Sequence, residues 1–202
     1  MLHRTLIAAA AVAVLASAQA ARAAEAGNAF LASLLGGLPR QGESFACFSR
    51  QYDAAQLAAH PEQRVVYIKA LVDAYYRESS FAPASGAYSY AVSLTFRFRD
   101  RTETLTGRTH CGDRNDSLQG GAQCVGPQGA ATHLALRGRQ VLVVAIPNGA
   151  DLWTPGPVEQ RHDTVKNPFG RDDKIFRLVR TDLKECEDLA FDRQKPLRPH
   201  EP

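Results

Sequence analysis

Three arginines at alternate positions are the first candidates for chemistry in this chain. Arg97, Arg99 and Arg101 fall in the stretch YSYAVSLTFRFRDRTE, residues 88–103, whose alternating apolar residues are typical of a β-strand. Alternate side chains of a strand share one face, so the guanidinium groups would repeat roughly every 6.5 to 7 Å. That spacing is close to the spacing of phosphates along a nucleic-acid strand or of charges on a glycan, so the arginines are candidate anion ligands.

A solvated strand face explains the same pattern, and the sequence favours this explanation. Like charges at such close spacing repel one another, so acidic residues on neighbouring strands should neutralise the arginines. The acidic candidates are Asp73, Glu78 and Glu103. The net charge is +3 for the whole chain, and it falls to about +1 without residues 1–23, which carry two arginines and no acidic residue. We therefore expect no nucleic-acid partner.

A lone tryptophan is the next candidate. Trp153 lies in GADLWTPGP, at the start of a segment, 151–173, that is rich in Pro and Gly and irregular in pattern. An exposed Trp in such a loop can stack on a sugar or a protein partner, whereas a buried one can plug the end of a barrel, which the sequence favours. Trp153 joins the three arginines as a candidate ligand-binding residue.

The motifs that mark common enzyme classes are absent from the sequence. It contains no H-E-x-x-H, no P-loop, no G-x-G-x-x-G after a strand and no complete G-x-S-x-G; GESFA, residues 42–46, ends in Ala instead of Gly. His110 and Cys111 have the residue types of a thiol catalyst, but neighbours on a strand point to opposite faces. Residues 113–124 resemble a calcium loop, yet they lack its essential Gly and Glu. The sequence therefore predicts no catalytic residue, no metal site and no cofactor.

The four cysteines predict two disulfides. They are Cys47, Cys111, Cys124 and Cys186, and a zinc site would need C-x-x-C pairs or His at ligand spacing, which the sequence lacks. Three pairings are possible. We favour Cys111 with Cys124, because they bracket a turn-rich loop, and Cys47 with Cys186, which would then join the two ends of the domain.

The first residues are typical of an export signal. MLHR is a short cationic start, LIAAAAVAVL is an apolar run too short to span a bilayer, and ASAQAARAAEA offers A-x-A cleavage sites after Ala20 or Ala23. We predict a signal peptide over 1–23 and a periplasmic or secreted protein. No later apolar run approaches the roughly 20 residues of a spanning helix, so no transmembrane segment is expected in the mature chain.

Periodicity predicts a single β-rich domain over 24–190 and a disordered tail over 191–202. Helical spacing marks 27–38 and 53–61, and a helical turn is predicted over 182–189. The predicted strands are 64–76, 88–103, 103–111, 132–136, 140–146 and 173–181. Short strands with frequent turns and no βαβ spacing indicate a mainly β fold, an antiparallel β-barrel or β-sandwich with short N-terminal helices and two disulfides.

The sequence resembles a family of uncharacterised exported bacterial proteins. The likeness is carried by SFACFSRQYDAAQLAAHPEQRV, by FRFRDR and by the closing DDKIFRLVRTDLKEC, and it covers most of the mature chain. The resemblance implies no activity. The family has His where this chain has Gln56, which weakens any metal site built on His60. The matching segments at the two ends of the domain lie around Cys47 and Cys186, which fits the long disulfide.

Two function classes follow from these observations. The first is an exported binding or interaction module that binds an envelope protein or a small ligand, or inhibits a hydrolase; this is an analogy at the level of the fold. The alternative is a cell-wall or glycan hydrolase that draws Asp and His residues from the segment 151–173. The sequence leans away from an enzyme, because no catalytic motif is complete.

Overall fold

The computed structural model describes residues 29–39, 42–77, 87–111, 121–126, 130–155, 163–190 and 197. The predicted signal peptide and most of the predicted tail lie outside the described residues. Helix α1 spans 29–35 and helix α2 spans Ala54–Ala59, with Asp53 as its predicted N-cap. The strands are β1 (Glu43–Gln51), β2 (Val65–Arg77), β3 (Ala87–Phe98), β4 (Leu105–Cys111), β5 (Gly121–Val125), β6 (Ala131–Arg137), β7 (Val141–Ala145), β8 (Leu152–Trp153), β9 (Thr164–Val165) and β10 (Ile175–Thr181). A 3₁₀ helix, Leu183–Leu189, follows β10.

Eight of these strands close into an antiparallel barrel. Strands β1 to β7 pair with their neighbours in chain order, and β10 fits between β7 and β1 to close the ring. Strands β8 and β9 extend from β4 and lie outside that ring. The predicted mainly β fold is therefore confirmed, and the choice between barrel and sandwich is settled in favour of the barrel.

Inward-facing side chains fill the barrel. The even-numbered residues of β3 from Tyr90 to Phe98 are buried, as predicted, and Tyr88 at the rim packs against the same core. The largest fully buried side chains are Phe48, Phe96, Phe176, Leu31, Leu34, Ile68, Leu71, Leu94, Leu105, Leu142, Ile146 and Leu152. An eight-stranded barrel is just wide enough for side chains to fill, so the interior is a packed core.

Helix α1 packs on the core at the end of the barrel where β1 begins and β10 ends, which we call the helix end. Phe30, Leu31 and Leu34 are all buried there. Arg180 on β10 holds the helix in place: its Nη2 donates to the carbonyl oxygen of Leu34 at 2.6 Å, and its guanidinium lies 4.6 Å from the ring centroid of Phe48. Burial lowers the pKa of this guanidinium, and the ring and carbonyl contacts compensate for the water it loses.

Residues of the described ranges 146–155 and 163–174 close the opposite end, which we call the loop end. Phe169 packs against the rings of Phe96, Phe98 and Phe176 with centroid distances of 5.1 to 6.2 Å. Phe98 and Phe176 are the inward-facing residues nearest this end of β3 and β10, so Phe169 covers the core from outside the ring. Aromatic pairs at such distances stabilise a core beyond the area that they bury.

Asp173 fixes the segment at the loop end to the rest of the barrel. Its carboxylate is fully buried and accepts backbone N–H groups from Arg64 (2.9 Å), Gly170 (2.8 Å) and Val65 (3.2 Å). Three amide donors satisfy a buried carboxylate without a cation. Asp173 therefore holds the start of β2 against the turn that leads into β10.

The 3₁₀ helix packs on the outside of β1, β2 and β3. Cys186 and Leu189 form a second apolar cluster there with Cys47 and Leu71, and Leu197 packs against it. The cover changes one expectation: Ala91, Ser93 and Thr95, on the face of β3 that was predicted to be solvated, are 4 to 6 % exposed. On that face of β3, Arg97 is exposed and Ser89 is partly exposed.

Both predicted disulfides are present. Cys47 on β1 joins Cys186 on the 3₁₀ helix with a Cα separation of 6.0 Å. Cys111 and Cys124 join β4 to β5 with a Cα separation of 4.3 Å, close to that of directly opposed residues in an antiparallel pair. Within the described part of the chain, every cysteine is oxidised.

The sequence missed β1 and β5. Strand β1 lacks clear alternation because Cys47 and Phe48 are both buried, one under the 3₁₀ helix and the other inside the barrel. Strand β5 is short and begins at Gly121, whose Cα position leaves no room for a side chain next to the Leu134 carbonyl oxygen. The predicted strand 88–103 instead ends at Phe98.

Removal of the two disulfides should have unequal effects. The residues of the long bridge are separated by 139 positions and those of the short bridge by 13. In the chain-entropy model these loops correspond to about 5 and about 3 kcal/mol. We expect the pair Cys47→Ala with Cys186→Ala to lower the free energy of unfolding in urea more than Cys111→Ala with Cys124→Ala. The reverse order would contradict the model.

Loss of the Asp173 charge should destabilise the barrel. Asp173→Asn places an amide group where three backbone donors converge, and we expect a loss of about 2 to 4 kcal/mol in the free energy of unfolding. Asp172→Asn is the matched control, because that carboxylate is exposed and should change the free energy by less than about 0.5 kcal/mol. Equal effects of the two substitutions in urea denaturation would show that the amide contacts do not anchor the loop end.

Candidate functional site

Arg97 lies near the end of β3 with its side chain exposed on the outer face of the barrel. Its register partner on β2 is Tyr67, and the guanidinium carbon stands 4.6 Å from the Tyr67 ring centroid. Its Nη2 donates to Oε1 of Gln51 on β1 at 2.7 Å. Both partners are neutral, so they orient the guanidinium without cancelling its charge.

Arg99 and Arg101 do not continue the stripe, because β3 ends at Phe98 and both lie in the following turn. The backbone N–H of Arg99 donates to the Arg64 carbonyl at 2.8 Å. Its guanidinium reaches two carbonyl oxygens near the end of α2 at 3.4 and 3.5 Å. Arg101 Nη1 forms an ion pair with Glu103 at 2.9 Å. The regular spacing predicted for the three side chains is therefore wrong.

Of the acidic residues expected to neutralise the stripe, only Glu103 pairs with one of its arginines within the described residues. Asp73 forms an ion pair with Arg108, and Glu103 pairs with Arg101. Glu78 lies outside the described residues. Of the three candidate arginines, only Arg101 has an ion pair within the part of the chain that the structure describes. Arg97 and Arg99 therefore have no ion pair among the described residues, and together with two neighbours they define the Arg97 platform: Gln51, Tyr67, Arg97 and Arg99.

The charges around Tyr67 set the electrostatics of the Arg97 platform. Burial raises the pKa of the Tyr67 hydroxyl, Glu185 and Asp188 raise it further, and Arg97 opposes them. The two carboxylates belong to the 3₁₀ helix and have contacts of their own. Glu185 accepts from the Thr181 hydroxyl at 2.8 Å, and Asp188 pairs with Lys69. The platform thus has a cationic side at Arg97 and an anionic side at the 3₁₀ helix.

Trp153 is separate from the arginines. It lies on β8 opposite Thr106 of β4 and is partly exposed, whereas its neighbour Leu152 is buried against Gly107. Among the described residues, no hydrogen bond or ring contact joins Trp153 to the three arginines. The interpretation of Trp153 as a barrel plug is wrong, because Leu152 and Phe169 of the same segment fill this end.

The acidic residues of 151–173 that the structure describes mostly hold the chain itself. Asp151 accepts the backbone N–H of Asn167 at 3.1 Å, and Asp173 is fully buried by its amide contacts. His60 Nδ1 and Asp172 Oδ2 are 4.0 Å apart, which is too long for a hydrogen bond. No group of three or more His, Cys, Asp or Glu side chains is arranged for a metal ion within the described ranges.

The thiol interpretation of His110 and Cys111 is excluded, because Cys111 is oxidised and buried while His110 is exposed. Within the described residues, no helix has both the length and the apolar character needed to cross a membrane. No family model, no curated protein and no solved structure matches this chain. The resemblance to an exported bacterial family therefore stays a prediction.

Sequence reasoning found Arg97 but missed Gln51 and Tyr67. Gln51 ends a strand that the sequence did not reveal. Tyr67 lies on the outward, odd-numbered face of β2, and the register of the β2–β3 hairpin aligns it with Arg97. The residues between those strands give no turn signal sharp enough to set that register from sequence.

The Tyr67 hydroxyl should report on the Arg97 contact. Arg97→Gln removes a positive charge that lowers the pKa of Tyr67, so that pKa should rise further above its ordinary value. Arg177→Gln is the matched control: Arg177 lowers the pKa of Tyr52, so this variant should raise the Tyr52 pKa and leave Tyr67 unchanged. NMR titration of ¹³C-labelled tyrosine measures both, and an unchanged Tyr67 pKa in Arg97→Gln would contradict the contact.

Proposed function

We propose that this chain is an exported binding module that holds a protein partner of the cell envelope on the outer face of its barrel. Inhibition of a hydrolase is one form that such binding takes. The partner would contact the Arg97 platform rather than enter the barrel.

The packed interior supports an external site. Phe96 and Phe176 are 0 and 1 % exposed, and they fill the barrel interior together with aliphatic side chains. Helix α1 and Phe169 cover the two ends of this core. Eight-stranded barrels that carry a ligand inside need space that side chains do not occupy. Recognition on the outside fits this architecture better.

The observation that carries the proposal is that Arg97 and Arg99 have no ion pair among the described residues. Surface arginines in a near-neutral chain commonly find carboxylate partners, and Arg101, Arg64 and Arg108 do so here. Arg97 is instead oriented by a ring and an amide. Arginine and tyrosine are both enriched at the centres of protein interfaces, where planar side chains lose little entropy on binding.

An oxidising compartment supports the exported location. Disulfides persist in the periplasm and outside the cell and are rare in the cytosol. The two bridges join Cys47 to Cys186 and Cys111 to Cys124. A periplasmic or secreted protein with a rigid, covalently fastened surface suits a binding function, since little order is gained on association.

The hydrolase alternative has one observation in its favour, the approach of His60 to Asp172 at 4.0 Å. Both groups are exposed, and two other described acids of 151–173, Asp151 and Asp173, bind backbone amides. A general acid–base pair needs hydrogen-bond reach to its substrate and to its orienting partner. We therefore rank the hydrolase second.

Charge reversal on the Arg97 platform should abolish partner binding. We expect affinity capture of the native protein from its own cell envelope to return one stoichiometric protein, and the double variant Arg97→Glu, Arg99→Glu to weaken its retention by about tenfold or more. The double variant Arg137→Glu, Arg177→Glu is the control, because those arginines are exposed on β6 and β10.

Equal unfolding free energies of the two double variants would show that the fold is intact. Unchanged retention on the platform variant, or equal loss on both variants, would contradict the proposed function. Hydrolysis of cell-wall material that depends on His60 and Asp172 would favour the alternative.

A further inference from the structure

We propose that Arg97 is the receptor for a single carboxylate, supplied by an Asp or Glu side chain of the protein partner. The inference rests on the proposed function, because it names the chemical group that the Arg97 platform takes. It assigns Arg97 as the ligand-binding residue and Tyr67 and Gln51 as the residues that position it.

The geometry of Arg97 is suited to a bidentate contact. A guanidinium has five N–H donors in one plane, and among the described residues only Gln51 engages Arg97, at Nη2 and 2.7 Å. Stacking over Tyr67 at 4.6 Å restrains the plane of the group. The side chain is exposed, so its remaining donors face solvent. A guanidinium that is already oriented loses little entropy when it binds a planar carboxylate with two parallel hydrogen bonds.

The surrounding charges favour a carboxylate over a phosphate. Glu185 and Asp188 act on Tyr67, which lies directly beneath the Arg97 guanidinium. Their negative charge repels an incoming anion, and the repulsion grows with the charge of that anion. Arg99 is the one further cation of the platform, whereas phosphate sites usually combine several cations or backbone donors. A singly charged carboxylate is therefore the better match.

Tyr67 and Gln51 also define how specific the site is. Tyr67 contributes an apolar ring beside the cation, so the methylene groups of an acidic side chain can pack there while its carboxylate meets Arg97. Gln51 is fixed by a donor bond from its Nε2 to the Val66 carbonyl at 3.0 Å, which leaves its Oε1 directed at Arg97. The three side chains come from β1, β2 and β3, so the sheet register sets their spacing.

The test uses the intact, disulfide-bonded protein with a short blocked glutamate peptide, the matching glutamine peptide and inorganic tripolyphosphate as probes. NMR of the arginine Nε–Hε groups should show the Arg97 signal moving with the glutamate peptide and not with the glutamine peptide. Arg97→Gln should lower the affinity for the glutamate peptide by about threefold to fivefold, the range of an exposed ion pair. Arg177→Gln should leave the affinity unchanged.

Two further variants separate geometry from charge. Arg97→Lys keeps the charge but lacks the planar fork, so its affinity for the glutamate peptide should fall between those of the unmodified protein and Arg97→Gln. Tyr67→Phe keeps the ring and should retain the affinity of the unmodified protein. An unchanged affinity in Arg97→Lys, an equal loss in Arg177→Gln, or an Arg97 signal that responds more strongly to tripolyphosphate than to the peptide would overturn the carboxylate assignment.

The two proposals can fail separately. If the glutamate peptide does not bind while the captured envelope partner still depends on Arg97 and Arg99, the carboxylate inference is wrong and the binding module stands. If neither the peptide nor an envelope protein binds, both proposals are wrong.

Discussion

Pairing of the last barrel strand with the first holds this fold together. Strand β10 meets β1 through the register pairs Cys47 with Thr181, Phe48 with Arg180 and Ser49 with Val179. Each side of this short seam is reinforced. Inside the barrel the Arg180 guanidinium stacks on Phe48 and binds the carbonyl oxygen of Leu34. Outside, the disulfide from Cys47 to Cys186 fastens the 3₁₀ helix across the same strands. Without the seam the chain would be an open, curved sheet with two unpaired edges.

Closure of the barrel decides where function can lie. It turns one face of every strand into a packed core and leaves only the outer wall and the loops for recognition. The 3₁₀ helix packs on part of that wall, and Ala91, Ser93 and Thr95 are buried on the outer face of β3. The Arg97 platform begins where this cover ends. Tyr67 accordingly lies between the carboxylates of the 3₁₀ helix and the guanidinium of Arg97, and its raised pKa reflects burial first and these charges second.

Much of the fold could be predicted from the sequence, for identifiable reasons. Alternation in 88–98 is clean because one side faces the core, and the two cysteine pairings follow from the turn-rich loop and from the ends of the domain. Strand β1 was missed because neighbours on opposite faces, Cys47 and Phe48, are both buried at its middle, which obscures the alternating pattern. The overextended prediction for β3 has a similar origin: Arg99 and Arg101 keep the period of two although the chain has already turned.

Only part of the candidate site could be predicted from the sequence. The sequence identifies Arg97 as a candidate, but whether it binds an anion depends on which acidic residues pair with it. Asp73 forms its ion pair with Arg108 instead. Gln51 and Tyr67 contribute through sheet register alone. Trp153 had the residue type of a ligand contact or a plug, yet its neighbour Leu152 is the one that faces the core. Side-chain partnership across strands is a long-range property that a single sequence does not encode in any short window.

Hydrogen exchange of the native protein, alone and with the envelope partner that it captures, tests the central claim of an external site most directly. The account predicts slower exchange in the partner complex for the amides around Gln51, Tyr67 and Arg97, and no change at α1. Protection confined to α1 and the ends of the barrel core, with unchanged exchange around Arg97, would contradict it.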